Sequence, residues 1–253
     1  DVLGSRGLGD VYKRQDDTWM FNASLGMTPQ KRAIERKMGK LYADTTMHTI
    51  DFQPMIWVNW KKKEARITFN YSGRTRQPSL SDLMPLTDNS NPLYITRGNP
   101  DLKQMFSHSV RVSFQHSKKG ISANIGGQME QNSVTQVVLY DAKTGGRETS
   151  PININGNWNV YGSANWWKRL GHFSLRLDMN GNHSNRVSMI NEDKSLEPKK
   201  STTRDTGLGC DANVSYQPTW GGIDFSTSWN YQYSLNSIND NDTYTRNYSF
   251  RLE

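Results

Sequence analysis

The sequence predicts an all-β protein, an antiparallel transmembrane β-barrel with about ten long strands. Three observations carry that expectation. In GIDFSTSWNYQYSLN (222–236), every odd position from Ile223 to Leu235 is apolar, aromatic or threonine, and Asp224, Ser226, Ser228, Asn230, Gln232 and Ser234 lie between them. A period of two belongs to a strand with two unlike faces. At about 3.3 Å per residue the stretch spans roughly 43 Å, about twice the strand of an ordinary soluble domain. Finally, short and long connections alternate along the chain, so that one rim is tight and the other elaborate.

Taken in order, residues 1–15 (DVLGSRGLGDVYKRQ) do not join the pattern and form an unplaced tail. They lack the apolar core of a signal peptide, and GSRGLG has no strand before it to make a phosphate loop. Residues 16–253 are read as part of a barrel domain. Trp19, Phe21, Ala23, Leu25 and Met27 share one phase, and a less regular strand follows near 46–60. Ile67, Phe69 and Tyr71 alternate with Thr68, Asn70 and Ser72, and Val110, Val112 and Phe114 with Arg111, Ser113 and Gln115. Further strands carry Ile121, Ala123, Ile125 and Met129, then Trp158, Val160, Ala164 and Trp166, each opposite Asn, Ser or Gln. Phe173, Leu175, Leu177 and Met179 oppose Ser174, Arg176, Asp178 and Asn180, while Leu208, Cys210, Ala212 and Val214 oppose Asp211, Asn213 and Ser215. A last strand begins near 243, where Arg246 interrupts the apolar phase within reach of the long rim. Short turns are expected at 61–64, 116–120, 168–171 and 218–222, and long polar loops at 28–45, 77–103, 141–151 and 188–204, with a shorter one at 237–242. Trp60, Trp166, Trp167 and Trp220 flank the short turns and are expected to form one interfacial girdle.

The composition fits this fold. Hydrophobic residues make up 34% of 253 and the mean hydropathy is -0.80. No apolar run approaches the roughly 18 residues of a spanning helix, whereas a barrel wall can be polar on half of every strand. The net charge is +7, but no groove-reading helix or stacking module accompanies it, so nucleic acid is not an expected partner. Cys210 is the single cysteine, which excludes an internal disulfide. A soluble β-propeller is the alternative fold, suggested by a period near fifty residues and GG pairs. Its blades would use strands of about five or six residues, and it would have to hide a long aromatic face.

One segment is more specific than the periodicity. RTRQPSLSDLMPLTDNSNPLYITRGNPDLKQMFSHSVRVSF (74–114) contains Pro78, Ser79, Leu80, Leu83, Ser90, Asn91, Pro92, Leu93, Ile95, Gly98, Asn99, Pro100, Leu102 and Lys103 at fixed spacing. It resembles the outer-membrane β-barrel family of Bacteroidota, relatives of TonB-dependent receptors, in a stretch that leaves one strand, crosses a surface loop and enters the next. Gln104 and Met105 depart from the family pattern, which has Glu after Leu-Lys. YDAKTGGRETSPININGNWN (140–159) and STTRDTGLG (201–209) extend the similarity. Independently of any family, Pro78, Pro85, Pro92 and Pro100 remove backbone donors and fix φ, so no regular element continues through the segment. Asn99-Pro100-Asp101 reads as a turn. A rigid cap over the barrel mouth is expected, with Arg74, Arg76 and Arg97 as candidates for ligand contact.

The resemblance implies an outer-membrane location in a Gram-negative bacterium, with membrane lipid around the wall. It also implies a complete barrel of about 22 strands, closed by a plug. Neither plug nor TonB box is present and the chain stops at SFRLE in mid-pattern, so it is expected to be an internal portion of that barrel. The implied function is energised uptake of a ligand, with the plug and the TonB complex as partners. Arg111, Glu130, Arg176, Asp178, Asp211 and Asp224 fall in the polar phase and are candidates for lumen or plug contacts. A barrel that merely anchors surface loops for adhesion or assembly is the competing function. His48, His108, His116, His172 and His183 show neither His-x-x-x-His nor His-Glu spacing, and NDND (239–242) lacks the Gly and distal Glu of a calcium loop. No metal, cofactor or enzymatic activity is expected.

Overall fold

The computed structural model describes residues 14–15, 18–38, 41–85, 87–141, 143–191, 198–237 and 242–253. The expected loop at 237–242 lies almost wholly outside them, as do residues 1–13 of the tail. The strands are β1 (Arg14–Gln15), β2 (Trp19–Met38), β3 (Leu41–Lys62), β4 (Ala65–Arg76), β5 (Thr87–Asn91), β6 (Tyr94–Arg97), β7 (Met105–His116), β8 (Ile121–Gln131), β9 (Ser133–Tyr140), β10 (Arg147–Ile154), β11 (Trp158–Leu170), β12 (Phe173–Asn191), β13 (Lys199–Tyr216), β14 (Ile223–Asn236) and β15 (Asp242–Leu252). The helix α1 (Leu80–Leu83) interrupts them after β4. Among the described residues no helix is long and apolar enough to cross a membrane.

Ten strands, β2-β3-β4-β7-β8-β11-β12-β13-β14-β15, form one antiparallel wall that does not close on itself. A propeller would divide these strands into separate blades. Directly paired residues share a face, so the register tests whether the two phases stay in step. They do, across the whole wall. One row runs Trp19, Trp60, Ile67, Phe114, Ala123, Ala164, Met179, Cys210, Trp229, Tyr248. The adjacent row, one residue along each strand, runs Met20, Asn59, Thr68, Ser113, Asn124, Ser163, Asn180, Gly209, Asn230, Asn247. Apart from Met20 the second row is polar or glycine. A single slip in any pair would have mixed the two sets. Within β14 the rings of Trp229 and Tyr231 stack at 6.3 Å on one side of the strand, which is the arrangement the alternation at 223–235 predicts.

The apolar face has the height of a membrane. From Phe173 to His183 there are ten steps of strand, roughly 33 Å, or about 25 Å once tilted by ~40°. At the tight rim Trp19 and Trp60 lie 6.3 Å apart and Phe173 and Tyr216 4.6 Å apart. At the other rim Trp158 lies 5.3 Å from His183, and Tyr71 Oη is 3.1 Å from His108 Nδ1. Arg246 lies across from Tyr231 on this face, its guanidinium 5.7 Å from that ring and 5.5 Å from the ring of Tyr244. Cation-π contact and a short reach to the rim make the charge tolerable there.

Two expectations need correction. Trp167 pairs with Arg176, on the polar face; because neighbouring residues of a strand point to opposite sides, Trp166 and Trp167 cannot share one girdle. The expected loops at 28–45 and 188–204 are largely strand. β2 and β3 continue to Met38 and from Leu41, and β12 and β13 to Asn191 and from Lys199. Beyond the membrane the two faces of a ladder no longer divide lipid from water, so backbone pairing persists without the alternation that betrays it.

β1 pairs antiparallel with the start of β2 (Arg14↔Phe21), so Arg14 and Gln15, assigned to the tail from the sequence, join the sheet. The other four strands leave the wall at the long rim. β9 runs parallel to the end of β12 (Ile190↔Val138), β10 pairs with β9, β6 with β10 and β5 with β6. The dry core lies here and not in the wall: Leu83, Met84, Leu102, Met105, Val137, Ile154 and Val187 are buried. A wall with a solvent on each face has no interior, so apolar burial concentrates where this side sheet folds over the rim.

Candidate functional site

The long rim and the polar face below it hold the residues singled out above. The chain leaves β4 through Gln77, which donates to the buried carboxylate of Asp51 at 2.6 Å; Gln30 donates to its other oxygen at 2.9 Å. Arg32 Nη1 then donates to the Pro78 carbonyl at 2.9 Å, tying the entry to β2. Ser79 Oγ accepts from the Asp82 N–H at 3.1 Å, the N-cap of α1. Leu83 and Met84 are 2% and 1% exposed beneath it. Leu80, between cap and core, is half-buried.

The second half of the segment locks onto the first. Asn91 Oδ1 accepts from the Leu93 N–H at 3.0 Å across Pro92, closing the β5–β6 hairpin. Gly98 passes so close to α1 that a Cβ there would collide with the Met84 carbonyl oxygen. Asn99 donates its backbone N–H to Asp82 O at 2.5 Å and its side-chain amide to Pro151 O at 3.0 Å, and its Oδ1 accepts from the Asp101 N–H at 2.9 Å around Pro100. Leu102 then enters the core. All ten motif residues, Pro78, Ser79, Leu80, Asn91, Pro92, Leu93, Gly98, Asn99, Pro100 and Leu102, therefore lie within one folded cap.

A second set of residues, not recognised as a site in the sequence, sews this cap to its neighbours. Asn153 accepts from the Lys103 N–H at 2.7 Å and donates to the carbonyls of Lys103 at 3.0 Å and Asn132 at 2.8 Å. Asn155 Oδ1 accepts from Asn132 N at 2.7 Å, and Asn157 Oδ1 from Val187 N at 2.8 Å. The signal was present as asparagine at alternate positions of NINGNWN.

The three arginines are placed differently. Arg97 pairs with Glu148 at 3.4 Å, the arginine exposed and the carboxylate mostly covered. Arg74 and Arg76 pair in register with Ser107 and Met105, on the polar phase at the rim. Both are exposed, and neither makes a side-chain hydrogen bond or ion pair among the described residues.

Lower down, Arg111, Glu130, Arg176, Asp178, Asp211 and Asp224 all take polar-face positions, but they are not one cluster. Arg111 Nη2 donates to Tyr161 Oη at 3.0 Å, with the Tyr161 ring folded over Gly126. Trp57 stands on the same row, one strand beyond Asn70. Glu130 accepts from Ser133 Oγ at 2.8 Å near the long rim. Asp178 and Asp211 face each other in register, an unfavourable pairing of like charges. Asn165 donates to Asp178 and Arg176 Nε lies 4.0 Å from it, which moderates the repulsion. Asp224 sits apart at the tight rim, opposite Ser215. Among the described residues no group of three or more His, Cys, Asp or Glu could hold a metal.

Residues 32–252 match the family model described as Outer membrane protein beta-barrel family. The chain belongs to that family. No curated protein and no solved structure matches it. As an outer-membrane barrel protein it resides in the outer membrane of Gram-negative bacteria, with the row from Trp19 to Tyr248 against lipid. Barrels of this membrane carry short periplasmic turns and long extracellular connections. The cap is therefore outside the cell and the short turns after β3, β7, β11 and β13 are periplasmic. The Asn-rich row and its charged neighbours take the opposite, polar face.

Proposed function

We propose that the chain forms wall and surface cap of a TonB-dependent receptor that imports a ligand by energised transport. The observation that carries this reading is the lumen face. Its charged groups, Arg111, Arg176, Asp178, Asp211 and Asp224, are only partly satisfied by one another, so water or a second body must complete them. A plug domain is such a body, and a barrel of about 22 strands is wide enough to need one. The resemblance of residues 74–114 to relatives of TonB-dependent receptors supports the same reading and a Bacteroidota host. In this scheme Arg74 and Arg76 offer free guanidinium groups to anionic parts of a ligand above the mouth, while Arg97 shares its charge with Glu148. TonB, driven by the inner-membrane proton gradient, pulls on the plug, and the wall described here stays fixed.

Comparison of culture medium after growth of the wild type, a strain lacking the intact gene and a strain lacking TonB tests the proposal. At least one compound should remain unconsumed in both mutants. If the deletion strain depletes the medium as the wild type does and loses surface adhesion instead, the barrel is an anchor. Once a ligand is known, Arg74→Glu with Arg76→Glu should lower its binding at least tenfold at unchanged surface level, and equal binding would remove these arginines from the site.

A further inference from the structure

The charge of the chain is not spread over it. The β3–β4 turn carries Lys61, Lys62, Lys63 and Arg66 against Glu64. The β7–β8 turn carries Lys118 and Lys119, and the β11–β12 end carries Lys168 and Arg169. Eight cations against one acid leave a surplus of seven, equal to the net charge of +7 of the entire sequence. These turns are neighbours at the periplasmic rim. Ser117 N donates to Glu64 O at 3.0 Å, and Trp167 N to Gly120 O at 2.9 Å, so the turns are stitched in one row.

The row contains a built notch. β8 begins at Ile121, paired with Trp166, whereas β11 continues to Leu170. The step between the two strand ends leaves a cavity of about 520 Å³, with Lys118 and Lys119 on one wall and Lys168 and Arg169 on the other. Gly120, at φ 64°, closes its floor, where a Cβ would strike the Trp167 carbonyl. Ile121, Trp166 and Lys168 belong to the lipid-facing phase, whereas Trp167 and Arg169, which also line the notch, take the polar one, so the notch straddles the strand ends and its lipid side opens at the level where acyl chains give way to headgroups. Three lysines beside the Trp166 indole at that depth, with the Arg169 guanidinium at the strand end, fit one chemistry: a phosphodiester whose tails continue along the apolar face.

We infer that the notch between the β7–β8 and β11–β12 turns binds the headgroup of an anionic phospholipid from the periplasmic leaflet. The lysines and Arg169 neutralise the phosphate, and Ile121 and Trp166 receive the first carbons of the chains. Continuity with the lipid face favours a membrane lipid over a soluble anion or a periplasmic protein.

The test uses the full-length protein reconstituted in vesicles that mix phosphatidylcholine with brominated phosphatidylglycerol, or the reverse, and reads quenching of tryptophan fluorescence. Brominated phosphatidylglycerol should quench as though bound about threefold or more tightly than brominated phosphatidylcholine, and the preference should fall towards one in high salt. The variant Lys118→Gln, Lys119→Gln, Lys168→Gln, Arg169→Gln should lose most of the preference. Lys199→Gln with Lys200→Gln, at the opposite rim, should keep it. Should the quadruple variant fail to insert, Lys168→Gln with Arg169→Gln is read in its place. Equal quenching by both lipids in the wild type, or an unchanged preference in the notch variants, overturns the inference. Displacement of the brominated lipid by inorganic phosphate at millimolar concentration would assign the notch to a soluble anion and also overturn it.

Discussion

Met179→Arg in the intact protein should lose about 2–4 kcal/mol of folding free energy in a bilayer, whereas Asn180→Arg should change it by less than about 0.5 kcal/mol. The two positions are adjacent on β12, equally far from either rim, and differ only in the face they take. Met179 lies between Ala164 and Cys210 in the apolar row, near the middle of the band, where a guanidinium must drag water inward or be left unsolvated. Asn180 lies between Ser163 and Gly209, in the polar row. Folding into phosphatidylcholine vesicles at graded urea, scored by heat-modifiable gel mobility, separates the two outcomes. Equal losses at both positions would mean that the wall does not divide two solvents.

Gly98→Ala should unlatch the cap and leave the wall standing. The added methyl meets the Met84 carbonyl, and the nearest atoms beyond it are also backbone, Met84 C and Asp82 O, so no side chain can swing aside. Either α1 or the start of the 98–102 turn must move, at a cost of about 1–3 kcal/mol and with loss of the hydrogen bond from Asn99 N to Asp82 O. Limited proteolysis of whole cells should then cut within residues 77–103, while heat-modifiable mobility of the barrel stays that of the wild type. Gly221→Ala, which meets nothing within 4 Å, is the matched control. An uncut cap in Gly98→Ala would show that this contact does not hold it shut.

The wall was legible in the sequence because each side of a strand meets a uniform medium over its whole membrane-crossing length. Ile223 to Leu235 could be assigned a face residue by residue, and an antiparallel meander then has few registers that keep all faces consistent. Legibility ended where the media stopped differing. Above the membrane β2, β3, β12 and β13 continue without a sustained apolar–polar alternation, and their sequences read as loop. The side sheet was hidden for another reason: its parallel pairs join Arg147 to Tyr94 and Ile190 to Val138, segments roughly fifty residues apart with no local pattern to announce the pairing.

At the candidate site the motif from Pro78 to Leu102 could be read as a rigid turn-rich cap, since prolines and Asn-Pro steps act locally. Its buried surroundings could not, because Met84, Val137, Ile154 and Val187 come from separate elements and become buried only in the tertiary structure. Trp57 and Tyr161 look like lipid-facing residues and stand on the polar row. Tyr161 does so because Gly126 opposite it leaves room for the ring and Arg111 supplies a donor to its hydroxyl.

The most direct test of the two-solvent wall is a nitroxide scan of positions 223–235 in the intact, membrane-inserted protein, comparing collision with molecular oxygen, which partitions into hydrocarbon, and with a water-soluble nickel chelate. Oxygen accessibility should rise at each odd position and chelate accessibility at each even one, with Trp229 a maximum for oxygen. A repeat near 3.6 residues, or a label at 229 shielded from both quenchers, would contradict the account.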